Sequence, residues 1–142
     1  MRTYTYEKYG RTIVMHLGKG EKLLESITSE CKRLGVTNAI LLSCIGSLRH
    51  AQLHIITTTE DSSTDAVLIL DTPMEMSAVQ GIIADGVPHF HMVISDPERV
   101  YTGHMEENCE VQYLMEISIL EVLDMDLTRK PDEFGINGLQ AK

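Results

Sequence analysis

Three of the chain's six histidines fall in one short stretch, PHFHMVISDPERVYTGH, at positions 89, 91 and 104. Residues two apart in a strand project to the same face, so His89 and His91 point together while Phe90, Met92 and Ile94 point the other way, toward a core. Asp96-Pro97-Glu98-Arg99 has the composition of a tight turn. A hairpin closed there by a two- or four-residue loop sets His91 directly opposite His104. A three-residue loop would set His104 opposite residue 90 or 92 and turn it to the other face, so the register carries the inference. Opposed residues in an antiparallel pair have Cβ atoms about 5 Å apart, and His89 lies one step along the same face, so the first register brings three imidazoles to one point.

Three neutral imidazoles so placed can hold a transition metal at about 2.0 to 2.1 Å from each nitrogen, with zinc favoured over iron, nickel or copper. Three protein ligands leave one position open to water or to a small anionic ligand. Glu106, two residues beyond His104, is in reach as a fourth ligand or as an acceptor for a ligating imidazole. Cys109 lies at an odd offset from His104 and points away from it. Strand histidines that only hydrogen-bond produce the same His-x-His pattern, and spacing alone leaves that alternative open. His16, His50 and His54 show no such convergence and read as structural.

The elements that must position these groups are mostly strands. Runs of strand character cover Ala39 to Ile45, Ala51 to Thr59, Ala66 to Leu70, Met74 to Ile83, Pro88 to Ser95 and Cys109 to Leu123. Short separations with turn residues such as Asp61-Ser62-Ser63, Asp85-Gly86 and Asp96-Pro97 favour hairpins over helical crossovers. One amphipathic helix is expected from about Glu21 to Leu34, with Leu23, Leu24, Ile27, Cys31 and Leu34 on a shared face and Gly35 as its stop. Gly18-Lys19-Gly20-Glu21 lacks the spacing and ending of a phosphate loop and reads as a tight turn. The expected fold class is therefore α+β, a mainly antiparallel sheet with one helix on one face. The last strand is apolar on both alternating sets, Val111, Tyr113, Met115, Ile117 and Ile119 on one and Leu114 and Leu120 on the other. Sheets of that kind are covered on both faces, which implies a homo-oligomer. The tail from Asp126 to Lys142 reads as irregular.

The totals set bounds on all this. A chain of 142 residues, 43% hydrophobic and 23% charged, is of the size and composition of one globular domain. Cys31, Cys44 and Cys109 are an odd number without a Cys-x-x-Cys pair and read as reduced thiols. With no signal-like N-terminal run and no stretch of membrane-spanning length, the expectation is a cytoplasmic protein with no membrane contact. A net charge of −9 opposes nonspecific binding to phosphates unless basic residues are segregated.

Several pieces occur together in order: Gly20-Glu21-x-Leu23-Leu24, then Ile45-Gly46-Ser47-Leu48 with Ala51-x-Leu53, then Asp85-Gly86-x-Pro88-His89-x-His91, then Gly103-His104 and Cys109-x-Val111. Together they resemble the plant and prokaryote conserved (PPC) domain, over about residues 11 to 139. The resemblance implies an α+β fold assembling as a homotrimer, with His89, His91 and His104 forming a metal site. Plant members of the family add an AT-hook, an Arg-Gly-Arg-Pro element that enters the minor groove. Here the only similar tetrapeptide, Tyr9-Gly10-Arg11-Thr12, lacks the first arginine and the proline. Where plant members carry a Gly-Arg-Phe-Glu-Ile-Leu segment for partner recruitment, this chain has Thr72-Pro73-Met74-Glu75-Met76-Ser77 and keeps only the glutamate. The chain thus looks like a free-standing prokaryotic member.

Two functional readings follow. One is a trimeric metal-binding module with a DNA-associated or regulatory role, its partners being DNA or a DNA-bound protein. The other is a small zinc-dependent enzyme, lyase- or decarboxylase-like, using the open position on the metal. The three-histidine pattern is similar to that of acetolactate decarboxylase, and Glu75 or Glu106 as acid or base and Arg49 as an anion clamp are its candidate residues. Ser47 lacks the Gly-x-Ser-x-Gly surroundings of a nucleophile.

Overall fold

The computed structural model describes residues 1–142. Nine strands and one helix follow one another: β1 Tyr9–Gly18, α1 Leu23–Leu34, β2 Ala39–Ile56, β3 Asp65–Leu70, β4 Met74–Ala84, β5 Val87–Ser95, β6 Val100–Met105, β7 Glu110–Val122, β8 Leu127–Pro131 and β9 Asn137–Ala141. Seven strands form one sheet in the order β1-β7-β2-β4-β5-β6, with β3 also on β2, and every pairing is antiparallel. The fold is α+β, a mostly antiparallel sheet with a single short helix. Strand β6 pairs a second time, with β2, so that β2, β4, β5 and β6 make a closed circuit.

That closure depends on β2, which sequence reading divides into two runs, Ala39 to Ile45 and Ala51 to Thr59. Instead it is one strand of 18 residues. Its first half lies between β7 and β4, and its second half pairs with β3 and β6. Three register shifts against β7, the second between Gly46 and Leu48, bend it without ending it.

Helix α1 forms as its periodicity requires, burying Leu23, Ile27 and Cys31 at four-residue steps. It stops at Gly35, which takes φ 72°, and the Val36 N–H reaches back to the Cys31 carbonyl at 2.8 Å. The glycines before it serve a turn, tied by the Gly20 N–H to the Val111 carbonyl at 2.9 Å.

The core lies between the helix and the sheet and runs on into the closed circuit, where Phe90, Met92, Ile94 and Met105 are each no more than 1% exposed. Of the two apolar sets of β7, Val111, Met115, Ile117 and Ile119 are buried, whereas Tyr113 is 70% and Leu114 41% exposed. The tail read as irregular forms the β8–β9 hairpin, with Pro131 at the end of β8 and Gly135 at φ 83° in the connecting loop. Proline and glycine there punctuate a hairpin rather than a coil. Leu127 of that hairpin is buried with Ala84, Val122 and Met125, and Ile82 and Leu139 pack against the same small cluster.

Candidate metal centre

The β5–β6 hairpin turns through Asp96–Arg99, where the Asp96 carboxylate accepts from the backbone N–H of Glu98 at 2.8 Å and of Arg99 at 2.7 Å. Aspartate is suited to this because its short side chain reproduces a backbone turn bond. The four-residue loop sets the register Ser95↔Val100, Val93↔Thr102 and His91↔His104. At the other end of β5, Asp85 and Gly86 take φ 55° and 77° and make a two-residue turn that sets His89 against Ile82.

The three imidazoles converge. One ring nitrogen from each of His89, His91 and His104 lies within 4.8 Å of the others. Nε2 of His89 is 3.1 Å from Nε2 of His91. Nitrogens held at about 2.1 Å around a tetrahedral ion are roughly 3.4 Å apart, a spacing close to this one. The His104 ring stands edge-on to both, with centroids 4.8 Å from His89 and 5.4 Å from His91. His91 is exposed, and His89 and His104 are half-buried, so the cluster opens to solvent on one side.

Two glycines let the strands carrying these rings approach closely. Gly81 on β4, at φ 148°, lies so near β5 that a Cβ there would sit 2.0 Å from the His89 carbonyl oxygen. Gly103 on β6 lies against β2, where a Cβ would sit 2.6 Å from the His54 carbonyl oxygen.

That second contact brings in a residue the spacing did not single out. His54 pairs with His104 across β2 and β6 and stacks on it, centroids 4.5 Å apart. Its Nδ1 donates to the Glu106 carboxylate. Glu106 therefore stands beside the site as an acceptor for His54, and His54, His104 and Glu106 form a second convergent group that shares His104. No local pattern announces this, because His54 belongs to a strand whose pairing with β6 is made only by closing the circuit.

Electrostatics favour the neutral form of two of the three rings. Burial holds His89 down to about 4, helped by the positive charge of Arg129 and by the neighbouring rings. Burial and then His54 also lower His104. Both rings are neutral near pH 7 and offer lone pairs, as a metal requires.

The remaining candidates stand elsewhere. Glu75 lies across from Ser47 and Ser95, four residues along β5 from His91, which is roughly 13 Å at the rise of a strand. Arg49 faces Glu110 at 3.6 Å beside Lys22, His50 and Asp71. His50 pairs with Asp71 at 2.5 Å, and His16 lies across from Glu116. Ser47 is buried and accepts from the Tyr113 N–H at 3.2 Å. Cys109 is fully buried, its thiol 3.4 Å from the Gln52 and Glu106 carbonyl oxygens, and burial pushes it up to about 11. Cys31 and Cys44 are likewise free and buried. No helix is long and apolar enough to cross a membrane.

Comparison with known proteins accords with this architecture. Residues 4–123 match the model of the Plants and Prokaryotes Conserved (PCC) domain. A plant- and prokaryote-conserved (PPC) protein of Pyrococcus horikoshii has a TM-score of 0.83 and 28% identity, covering 100% of this chain and 99% of its own. A metal-containing protein of Archaeoglobus fulgidus has a TM-score of 0.81 and 22% identity over 95% of each chain. A candidate DNA-binding protein of Bacteroides thetaiotaomicron has a TM-score of 0.79 and 16% identity over 99% of each chain. The last two are likenesses of fold. Over 123 residues the chain is also 25% identical to the bifunctional protein GlmU of Synechococcus sp. (strain JA-3-3Ab), which is 86% of this chain and 19% of that protein. The chain thus spans about a fifth of that relative's length.

Proposed function

The chain belongs to the Plants and Prokaryotes Conserved domain family, and on that premise we propose that it is a metal-binding module in which His89, His91 and His104 hold one divalent transition-metal ion, zinc before the others. One observation carries the reading: three imidazole nitrogens within 4.8 Å of one another, on two strands whose register is pinned by a four-residue turn. Two of the three rings are kept neutral by their surroundings, which favours coordination over protonation. The metal would polarise a bound oxygen ligand as a Lewis acid.

The module works as a homotrimer in this reading. Val14, Ile45 and Leu114 project from one face of β1, β2 and β7 and are all exposed in the single chain, a patch that a second copy would cover. A role in association with DNA or a DNA-bound protein is suggested by the fold shared with the Bacteroides protein. The net charge of −9 favours a protein partner or a small ligand over the duplex itself. The enzyme reading draws less support, because Glu75 and Arg49 lie away from the cluster and Glu106 is engaged by His54.

Elemental analysis of purified protein beside a His91→Ala variant tests the proposal, with the mass of the assembly measured for both. About one metal per chain in the parent and little in the variant is expected. A parent that takes up no zinc, cobalt or nickel when offered an equivalent would overturn it. Retardation of AT-rich duplex at low salt, where phosphate contacts are strongest, would restore DNA as the partner.

A further inference from the structure

Beside the histidine cluster lies a cation without an anion. Arg129, on β8, is half-buried, and its Nε is buried with no hydrogen-bond partner. Its single polar contact is a long one, from Nη1 to the Asn137 carbonyl at 3.5 Å. No carboxylate of the chain pairs with it, and the other cations without one, Arg2, Lys8, Lys19, Lys32, Arg99 and Lys130, are all exposed to water. A guanidinium stays charged at any relevant pH, and removing it from water uncompensated is costly.

Packing of the hairpin places this charge by the candidate metal ligands. Leu127, two residues before Arg129, and Leu139, its cross-strand partner, pack in the same cluster as Ile82. Ile82 is the residue directly opposite His89. As cross-strand partners, Arg129 and Leu139 project to the same side of the hairpin, the side that packs beside Ile82.

We propose that Arg129 and the coordination position left open by His89, His91 and His104 together bind a small carboxylate, one oxygen on the metal and the other on the guanidinium fork. The inference rests on the metal reading above. The oxygen not on the metal accepts a charge-assisted hydrogen bond from the guanidinium, and the four positions of a tetrahedral ion are filled by three imidazoles and one oxygen. Arg129 takes the part that sequence reading gave to Arg49, which is already opposite Glu110.

Cobalt serves as the probe, since its visible spectrum responds to the ligand in the fourth position. The cobalt-loaded parent, Arg129→Gln and Arg129→Lys are titrated with acetate and, separately, with inorganic phosphate. Expected is a saturable spectral change with acetate in the parent, weakened about tenfold or more in Arg129→Gln and less in Arg129→Lys, as for loss of a charge-assisted hydrogen bond. Cobalt content stays at that of the parent in both variants, because Arg129 is no ligand. Equal acetate affinity in the parent and Arg129→Gln, with cobalt retained, overturns this inference alone. Saturation by phosphate but not acetate overturns the choice of carboxylate. A parent that binds no cobalt, with the fold intact by circular dichroism, overturns the metal reading and this inference with it.

Discussion

His54 of β2 lies flat on His104 of β6, ring centroids 4.5 Å apart and planes 24° from parallel, and so ties the longest strand of the sheet to the hairpin that carries the candidate ligands. The pair has a consequence for metal affinity. His104 owes part of its orientation to this neighbour, and His54 is itself held by Glu106.

Glu106→Gln should therefore weaken metal binding without abolishing it. Partners that orient ligands are worth roughly 10- to 100-fold in affinity, and one acting through an intervening ring belongs at the lower end. Competition against a chromophoric chelator should show a loss of about tenfold, with stoichiometry at saturation unchanged. A fall in stoichiometry itself would make Glu106 a ligand.

Acid should destabilise the metal-free protein through His89. The unfolded chain takes up this proton near the ordinary 6.5, but the folded chain only near 4. Between those values the unfolded state binds more protons, so stability falls as pH is lowered from about 6.5 toward 4, and this contribution is fully present above that window. Thermal melts of the apo protein across that range, compared with His89→Asn, should give a shallower slope in the variant. Equal slopes would show that His89 is not held neutral by the fold.

Gly81→Ala should damage both the fold and the site. Its φ of 148° suits glycine alone, and the added methyl would meet the His89 carbonyl oxygen at 2.0 Å. Relief requires β5 to move from β4 and takes His89 with it. A destabilisation of about 1 to 3 kcal/mol is expected from the strained conformation, together with weaker metal binding. Unchanged chemical denaturation would rule out the close approach of these two strands.

Assembly should be separable from metal binding. Leu114, 41% exposed, projects on the face shared with Val14 and Ile45, six residues or roughly 20 Å along β7 from Leu120, whose row runs through Ile40 and Ile82 to His89. Light scattering should give three times the 15.9 kDa chain mass for the parent and a smaller species for Leu114→Asp. Metal content retained in the smaller species would place all ligands within one chain. A parent that runs as a single chain would remove the homotrimer.

Much of the site was legible from one hairpin. Alternation set His89 and His91 on one side and Phe90 and Met92 on the other, and the length of the loop at Asp96–Arg99 set His104 against His91. The bend at Gly46 was misread as an end, because a glycine that breaks the pattern of a strand marks a bulge as readily as a turn. The tail reads as irregular for a related reason: a proline and a glycine, which elsewhere mark coil, here close a short hairpin. Glu75 and Arg49 were chosen for their chemical type, and type carries no information about which row of a sheet a side chain occupies.

The sequence by itself determined what is local: the amphipathic helix and its stop, the turns, and the three imidazoles of the β5–β6 hairpin with the β4–β5 turn that feeds it. Tertiary structure alone decided which groups surround those imidazoles. His54 and Glu106 are 52 residues apart and meet because β2 bends far enough to pair with β6. Arg129 comes to His89 because Leu127 and Leu139 seek the apolar surface beside Ile82. Periodicity and turn length act over a few residues, whereas these approaches are driven by burial of apolar surface between elements distant in the chain, and burial is not directional enough to be read from the order of residues.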